Sequence, residues 1–402
     1  VAACVLLSRS EFLAGDFILR WVNPIIPVYS DDFSNAYALR MALYNRLFWL
    51  TVLTGLGFLS ALFIRRYGKG ALGSLLCNGR KLCLIPLLAM AFLASGAGIY
   101  VYQPFVNHSS LEPEFFERDY NECLFLLSTH VNATPDVRRG TQHGTATYQI
   151  RNENTEPVEQ RLEINCGYTV HRMTVNGQPI EFTDLNNDHW KDKQISFMLP
   201  PEENIELVVE YGGFPQLWSL LENSMGGDEI SERYIDLIGG GFAPVMPTLP
   251  GEDPADITAC ITLPGNLMPL IMGGDVQLVS TNENGTKTWL AREEDSPHLY
   301  LYAADYVCAE VEAKHISAKF YYSRKHEKIM EQANIKGTLA EVLNYCTENI
   351  GPLSFSRDGQ LKLVQMTAYM FGGYAADDTS VMGETVFSEN SLKDPWKGAS
   401  GS

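Results

Sequence analysis

The stretch that decides the fold reads LFWLTVLTGLGFLSALFI (47–64), RRYGKGALGSLLCNGRK (65–81) and LCLIPLLAMAFLASGAGIYVY (82–102). The two apolar runs hold 18 and 21 residues and contain no Asp, Glu, Lys or Arg. At about 1.5 Å per residue, a helix of that length matches the roughly 30 Å hydrocarbon layer of a bilayer. The sequence therefore predicts transmembrane helices at 47–64 and 82–102. The alternative is a pair of buried core helices, but Trp49, Tyr100 and Tyr102 at interface depth favour the membrane.

The loop at 65–81 sets the predicted orientation. It carries Arg65, Arg66, Lys69, Arg80 and Lys81 and no acidic residue. Short loops rich in Lys and Arg stay in the cytoplasm, whereas no Lys or Arg occurs in the chain between positions 81 and 118. We therefore expect the loop to be cytoplasmic, and everything after residue 102 to be a large extracytoplasmic domain at the cell membrane.

Charge is divided unevenly along the chain. Residues 1–102 carry 9 Lys and Arg against 4 Asp and Glu, and residues 103–402 carry 21 against 44. An exported region with a net charge of −23 would be repelled by nucleic acid, so that class of partner is excluded. Five cysteines follow residue 102 without a CxxC pair, which gives no sign of a zinc knuckle or a thioredoxin-like site.

The segments flanking the apolar runs are predicted as connectors. Residues 1–46 read as an extracytoplasmic loop after a truncated span, with a short helix near 35–46. Residues 103–140 read as a polar stalk, with an amphipathic helix over LEPEFFERDYNECLFLLST (111–129) that would seat the domain near the bilayer. Membrane lipid is thus the first expected partner.

From 141 to 315 the apolar residues alternate with period two, as they do in strands. HRMTV and QPIEFT flank Asn176-Gly177, and a second Asn-Gly pair lies at 284–285. A two-residue Asn-Gly between strand-like runs is a strong hairpin signal, because both residues tolerate positive φ. Many short strands at this spacing predict an all-β sandwich or saddle-like domain.

Residues 316–402 change pattern again. HEKIMEQANIKGTLAEVLNYCTENIG (326–351) predicts one long helix or a helix pair, LKLVQMTAYM (361–370) a strand, and TSVMGETVFSE (379–389) another strand. Between the strands lies Phe371-Gly372-Gly373-Tyr374. The fold class is therefore multidomain: a helical transmembrane hairpin, an all-β domain and an α+β segment.

No motif in the sequence forms a self-contained active site. His326-Glu327 lacks the second histidine four residues later that a metalloprotease helix needs, so we interpret His326 as a solvated helix residue. Asp377-Asp378 and Glu293-Glu294-Asp295 are interpreted as solvated loops, and Gly239-Gly240-Gly241 as a linker. No catalytic residue and no metal ligand is assigned, and no cofactor is expected in this chain.

The part after residue 140 nevertheless resembles a known family. FAPVMPTLPGEDPADITACITLP (242–264), DVQLVST (275–281) and TKTWLARE (286–293) are similar to the amino-terminal saddle domain of the membrane alanyl aminopeptidases, which are gluzincins. LKLVQMTAYMFGGYAADDTSVMGETVFSEN (361–390) resembles the start of their thermolysin-like catalytic domain. The resemblance implies a substrate-binding loop at Phe371, Gly372, Gly373 and Tyr374, with the glycines allowing close approach of a peptide.

Two departures limit what the resemblance implies. Where the family has Met-Glu-Asn, this chain has Tyr374-Ala375-Ala376, so the carboxylate that grips a peptide's amino terminus is replaced by a methyl group. The HExxH helix and its later Glu do not occur before residue 402. We therefore expect a fragment without catalysis of its own, and zinc only in an intact parent protein.

Membrane spans before such a domain resemble bacterial ABC transporter permeases with an aminopeptidase-like ectodomain, whose ATPase would be a separate subunit. The leading hypothesis is thus a membrane-anchored, extracytoplasmic aminopeptidase-like module that binds peptides, which the intact parent would hydrolyse with zinc. The rival is a permease ectodomain that keeps the fold for binding or assembly without chemistry. A third alternative is a tethered β-sandwich unrelated to peptidases.

Overall fold

A computed structural model describes residues 18–19, 30, 33–64, 68, 70–81, 83–105, 121–185, 192–216, 229–237, 245–249, 255–296, 298–351, 360–367, 373–376 and 378–384. The chain divides into two compact units. The first comprises Val1–Ile26 and Tyr37–Ser110, and the second comprises Pro27–Ala36 and Leu111–Ser402.

The described part of the first unit is helical. It contains α1 (Ala36–Leu62), α2 (Ala71–Lys81) and α3 (Leu84–Tyr102), of which α1 and α3 are long and apolar enough to cross a membrane. Helix α1 begins before the predicted span 47–64, and the short helix predicted near 35–46 is part of the same continuous helix. Pro86 is tolerated in α3 because it lies in the first turn, where backbone N–H groups have no partner within the helix.

Helices α1 and α3 leave most of their apolar surface uncovered. Only 17% of the most apolar window of α1, and 11% of that of α3, is buried. A core helix of a soluble protein would be mostly buried, so this exposure disfavours the alternative of two core helices.

Small residues let α1 and α3 approach each other. A Cβ added to Gly55 would lie 2.8 Å from Leu93 Cγ, and one added to Gly96 would lie 2.9 Å from Val52 Cγ2. Glycines at such contacts are typical of helix pairs in membranes, where close packing replaces the hydrophobic effect as the attraction.

The second unit is rich in strands. They are β1 (Leu124–Asp136), β2 (Thr141–Asn152), β3 (Val158–Asn165), β4 (Tyr168–Val175), β5 (Gln178–Pro179), β6 (Phe182–Asp184), β7 (Asp192–Leu199), β8 (Asn204–Gly213), β9 (Glu229–Ile230), β10 (Tyr234–Leu237), β11 (Ala255–Pro264), β12 (Met268–Ile271), β13 (Asp275–Thr281), β14 (Thr286–Ser296), β15 (Leu301–Ala304), β16 (Tyr306–Glu312), β17 (Ser317–Ser323), β18 (Gln360–Met366), β19 (Gly373–Ala376) and β20 (Thr379–Gly383). A 3₁₀ turn at Arg324–His326 leads into helices α4 (Glu327–Gln332) and α5 (Ile335–Asn349).

These strands form several sheets. The largest has the order β13-β14-β11-β1-β2-β8-β4-β5, and smaller ones have the orders β12-β15-β10-β9 and β3-β7-β6. The fourth, here called the mixed sheet, has the order β16-β17-β18-β20-β19. The predicted β-rich region is confirmed at this level.

Local signals in the sequence agree with the hairpins. Asn176 and Gly177 have φ values of 47° and 77° in the turn between β4 and β5, and Gly285 has a φ of 82° in the turn before β14. The predicted amphipathic helix at 111–129 differs from the structure where it is described, because Leu124 to Thr129 belong to β1. There they pair with β2, and part of the segment also pairs with β11, so tertiary pairing overrides the helical pattern.

The mixed sheet is covered on both faces. Residues such as Phe320 and Leu363 face α4 and α5, whereas Val364 and Val381 face aromatic residues of the four-stranded sheet. Strands β17, β18 and β20 run parallel, and α4 and α5 lie in the connection from β17 to β18. Burial on both faces suits a parallel arrangement.

Candidate functional site

The candidate site lies where the parallel strands of the mixed sheet end. Met366 pairs with Gly383 across β18 and β20, and Tyr306 pairs with Ser323 across β16 and β17, so one edge collects the carboxyl ends of β17, β18 and β20. In sheets with parallel strands, ligands commonly bind outside the carboxyl ends. We define the carboxyl-edge cluster as five residues that lie at or pack against this edge: Ser30, Tyr306, His326, Gln365 and Glu384.

Gln365 organises the cluster. Its side chain is fully buried, its Oε1 accepts a hydrogen bond of 2.8 Å from the Ser323 backbone N–H, and its Nε2 lies 2.6 Å from His326 Nδ1. The backbone donor fixes which amide atom is the oxygen, so Nε2 must donate to Nδ1. The imidazole proton of neutral His326 is therefore on Nε2.

Tyr306 supports the same strand from the neighbouring one. Its hydroxyl donates a 2.9 Å hydrogen bond to the backbone oxygen of Gln365. Burial raises the pKa of Tyr306 well above its ordinary value, and the negative charge of Asp236 raises it further. The phenol is therefore a permanent neutral donor. Asp236 is itself buried and accepts a 3.0 Å hydrogen bond from the Tyr234 hydroxyl.

A segment preceding α1 completes the cluster. Ser30 Oγ donates a 3.0 Å hydrogen bond to Oε2 of Glu384, which is only 7% exposed, and accepts one of 2.8 Å from the Phe33 backbone N–H. The Phe33 ring lies 4.8 Å from the Tyr234 ring and 6.0 Å from the Tyr306 ring, measured between centroids. The residues just before the first long helix are therefore built into the β-rich unit.

Two residues of the binding loop predicted at 371–374, Gly373 and Tyr374, border the same edge. Phe371 and Gly372 lie outside the described residues. Gly373 and Tyr374 begin β19, where they pair with Met382 and Val381 of β20. Because β19 is antiparallel to β20, its first residue lies at the carboxyl end of β20. Ala375, the site of the missing carboxylate, is exposed opposite Ser380.

Strand β19 is the last strand of the mixed sheet. Among the strands that the structure describes, none pairs with its outer side. A strand edge of this kind presents backbone N–H and C=O groups to which an extended peptide can add as a further strand. The edge and the cluster are thus adjacent parts of one sheet end.

Other residues singled out in the sequence behave differently from expectation. His326 is half-buried and bonded to Gln365, whereas the sequence predicts a solvated residue. Asp378 is buried rather than solvated: Lys362 Nζ lies 3.3 Å from its Oδ1 and donates to the Gly274 carbonyl. Buried charges need partners, and this pair supplies them.

The remaining candidates add no further site. Glu293 to Asp295 belong to β14 and not to a loop, and Glu293 is buried. The glycines at 239–241 and Asp377 lie outside the described residues. Sequence reasoning missed Ser30, Tyr306, Gln365 and Glu384. A polar residue in the apolar run LKLVQM was the one available signal for Gln365.

Zinc does not fit the described part of the chain. No group of three or more His, Cys, Asp or Glu side chains comes together there in a way that could hold a metal ion. We therefore derive no chemical step through a metal from these residues.

Comparisons with known proteins do not extend the assignment. The sequence matches no model of a protein family, and no curated protein is significantly similar to it.

Proposed function

We propose that the chain is a membrane-anchored, extracytoplasmic peptide-binding module of an ABC-type permease, with the carboxyl edge of the mixed sheet as its binding site. The observation that carries the proposal is the outer edge of β19, with which none of the described strands pairs, and which begins at Gly373 beside the buried carboxyl-edge cluster. An extended peptide would pair with β19 through its backbone, and Glu384 and Ser30 would shape the end of the site.

The finer fold assignment belongs to this proposal. The order of strand, two helices, strand, edge strand and strand after residue 316 supports the resemblance to the start of a thermolysin-like domain. The large and small sheets before it support a saddle-like aminopeptidase domain. The third alternative, an unrelated β-sandwich, would lack the helix–strand–glycine-loop–strand order after residue 316, and Phe371 and Gly372 of that loop lie outside the described residues.

Orientation is supported by connectivity. The segment before α1 packs into the β-rich unit through Phe33, and the same unit resumes after α3. The amino end of α1 and the carboxyl end of α3 would then face the same side of the bilayer, which leaves the basic loop on the other side. The positive-inside rule makes that other side the cytoplasm.

Hydrolysis is proposed only for a longer parent, in which zinc would lower the pKa of a bound water and polarise the peptide carbonyl. For the residues described here, binding without chemistry is the better supported activity. The exposed methyl group of Ala375 favours it, since a methyl group cannot pair with a peptide's terminal ammonium.

The proposal is tested by measuring binding of fluorescent pentapeptides to the full chain in lipid nanodiscs by anisotropy. We expect binding that is lost when the peptide backbone is N-methylated, because strand addition needs the peptide N–H groups. Equal binding of both peptides would contradict pairing with β19. A matched variant pair, Tyr374→Pro and Val279→Pro, separates loss of the β19 edge from the effect of a proline in an edge strand of the largest sheet, because Val279 is 60% exposed in β13.

A further inference from the structure

Helix α2 has its polar and apolar sides reversed relative to a helix in a soluble protein. Ser74 and Asn78 are 0% and 1% exposed, whereas Leu72 and Leu76, one turn apart, are 75% and 71% exposed. Positions 72 and 76 lie on one helical face and positions 74 and 78 on the opposite one. We call Leu72 and Leu76 the outer leucine face.

The inward face of α2 is fixed to the end of α1. Asn78 Nδ2 donates hydrogen bonds of 3.0 Å to the Leu62 carbonyl and 3.1 Å to the Ile64 carbonyl. Leu62 is the last residue of α1, so its carbonyl has no partner within the helix, and Ile64 lies two residues beyond it. Asn78 thus caps the end of α1, and α2 is held in place with its leucines turned outward.

The position of α2 limits what can cover that face. The helix lies between Leu62, which ends α1, and Leu84, which begins α3. With 11 residues it is about 16 Å long at ~1.5 Å per residue, too short to cross a bilayer. If α1 and α3 span the membrane, α2 lies at the level of the lipid headgroups.

The charge of the loop matches one kind of surface. Between residues 62 and 84 the sequence has five Lys and Arg and no Asp or Glu. Basic residues beside a membrane bind anionic lipids, and apolar residues on a short helix insert at the boundary between headgroups and acyl chains. An acidic protein partner would pair with the basic residues, but it would not explain why Leu72 and Leu76 face outward at the level of the membrane surface.

We propose that α2 is an interfacial helix whose outer leucine face inserts into the cytoplasmic leaflet, where the loop's basic residues bind anionic lipid. The inference rests on the proposed membrane spans. It goes beyond the proposed function, because it assigns a lipid-binding surface remote in sequence from the peptide site.

The test uses the full chain in nanodiscs of neutral lipid with and without anionic lipid. p-Acetylphenylalanine replaces Leu72 or Leu76 and carries a spin label, which leaves the native cysteines in place. Collision with oxygen, which concentrates in lipid, is compared with collision with a water-soluble nickel chelate. Leu50, 62% exposed on α1, is the lipid reference, and the exposed Lys328 of α4 is the water reference.

With anionic lipid present, we expect the oxygen-to-nickel ratio at 72 and 76 to approach that at 50. Without anionic lipid it should fall toward the ratio at 328, while the ratio at 50 stays the same. A water-like ratio at 72 and 76 in anionic nanodiscs would overturn the proposal and leave the face to a protein partner. An unchanged ratio in neutral lipid would overturn the anionic preference.

If α1 and α3 did not span the membrane, the result would differ, because the oxygen-to-nickel ratio at position 50 would then also be that of a residue in water. As a second measurement, a photoactivatable anionic lipid should crosslink to peptides covering 70–81. This crosslinking should be lost in the Leu72→Ser, Leu76→Ser variant. The matched control is Leu185→Ser, Leu278→Ser, which replaces two exposed leucines of the β-rich unit. Equal crosslinking of both variants would contradict insertion of the outer leucine face.

Discussion

Replacing Phe33 by alanine should detach the segment before α1 from the carboxyl-edge cluster. Phe33 is 3% exposed and packs against Tyr234 and Tyr306. Truncating a buried phenylalanine costs about 3–5 kcal/mol. Among the described residues, the segment is also held by the 3.0 Å Ser30–Glu384 hydrogen bond and by a 3.2 Å hydrogen bond from the Ala36 N–H to the Glu229 carboxylate. Each of these hydrogen bonds to a charged group contributes about 1.5–3 kcal/mol, so they hold the segment only weakly once the Phe33 contacts are lost. The segment should therefore open at a lower free energy than the sheet needs to unfold.

Hydrogen exchange of the full chain in nanodiscs measures this opening. A loss of about 3 kcal/mol corresponds to a roughly hundredfold faster exchange of the amide at position 33, at about 1.4 kcal/mol per factor of ten. Amides of β17 should keep their protection, because they open only with the whole sheet. Phe63→Ala, at a phenylalanine that is 49% exposed in the other unit, is the matched control and should change neither. Unchanged exchange at residues 33–36 in Phe33→Ala would refute the reasoning.

Further predictions concern the edge strand, the buried ion pair and the two long helices. Ala375→Glu should make peptides with a free amino terminus bind roughly tenfold more tightly than acetylated peptides, because a charge-assisted hydrogen bond contributes about 1.5 kcal/mol. In the same anisotropy measurement, Ala375→Gln should show no such preference. Equal discrimination by both variants would contradict the pairing. Asp378→Ala leaves the Lys362 ammonium buried without its carboxylate, so it should lower the free energy of unfolding, measured in urea, by about 3–5 kcal/mol. The double variant Asp378→Ala, Lys362→Met should recover much of that loss. If the losses of the two single variants were additive, the pair would not be coupled. Gly96→Leu should lower the thermal unfolding temperature of the chain in detergent, because its Cβ would lie 2.9 Å from Val52 Cγ2. The control Gly98→Leu should not lower it, because nothing lies within 4 Å of a Cβ at that position. Equal shifts in unfolding temperature would argue against close packing of α1 and α3.

Local features of the fold could be predicted from the sequence. The Asn176-Gly177 turn needs only its two residues, whose positive φ values the structure confirms. Strands such as Asp275–Thr281 coincide with the predicted segment because alternation is itself a local signal. The helical segment at 326–351 was predicted as one helix or two, and a left-handed Asn334 with a φ of 47° separates the two helices.

Features that depend on distant pairing could not be predicted. Leu124 to Thr129 carry a helical pattern, yet they form a strand because they pair with β2, and Ser128 and Thr129 pair with β11 as well. The hydrogen bond from Ser30 to Glu384 joins residues 354 positions apart, and no spacing rule connects them. His326 has a solvated residue's context in the sequence, and only the neighbouring strand brings Gln365 to its ring.

Topology is the claim on which the function depends, and lysine labelling measures it most directly. Intact cells producing the chain are treated with a membrane-impermeant amine reagent, and labelled lysines are mapped by mass spectrometry. The account predicts label on Lys328 and Lys336, which are exposed in the β-rich unit, and none on Lys69 or Lys81 of the loop until the membrane is opened. Label on the loop lysines of intact cells, with Lys328 and Lys336 protected, would contradict it.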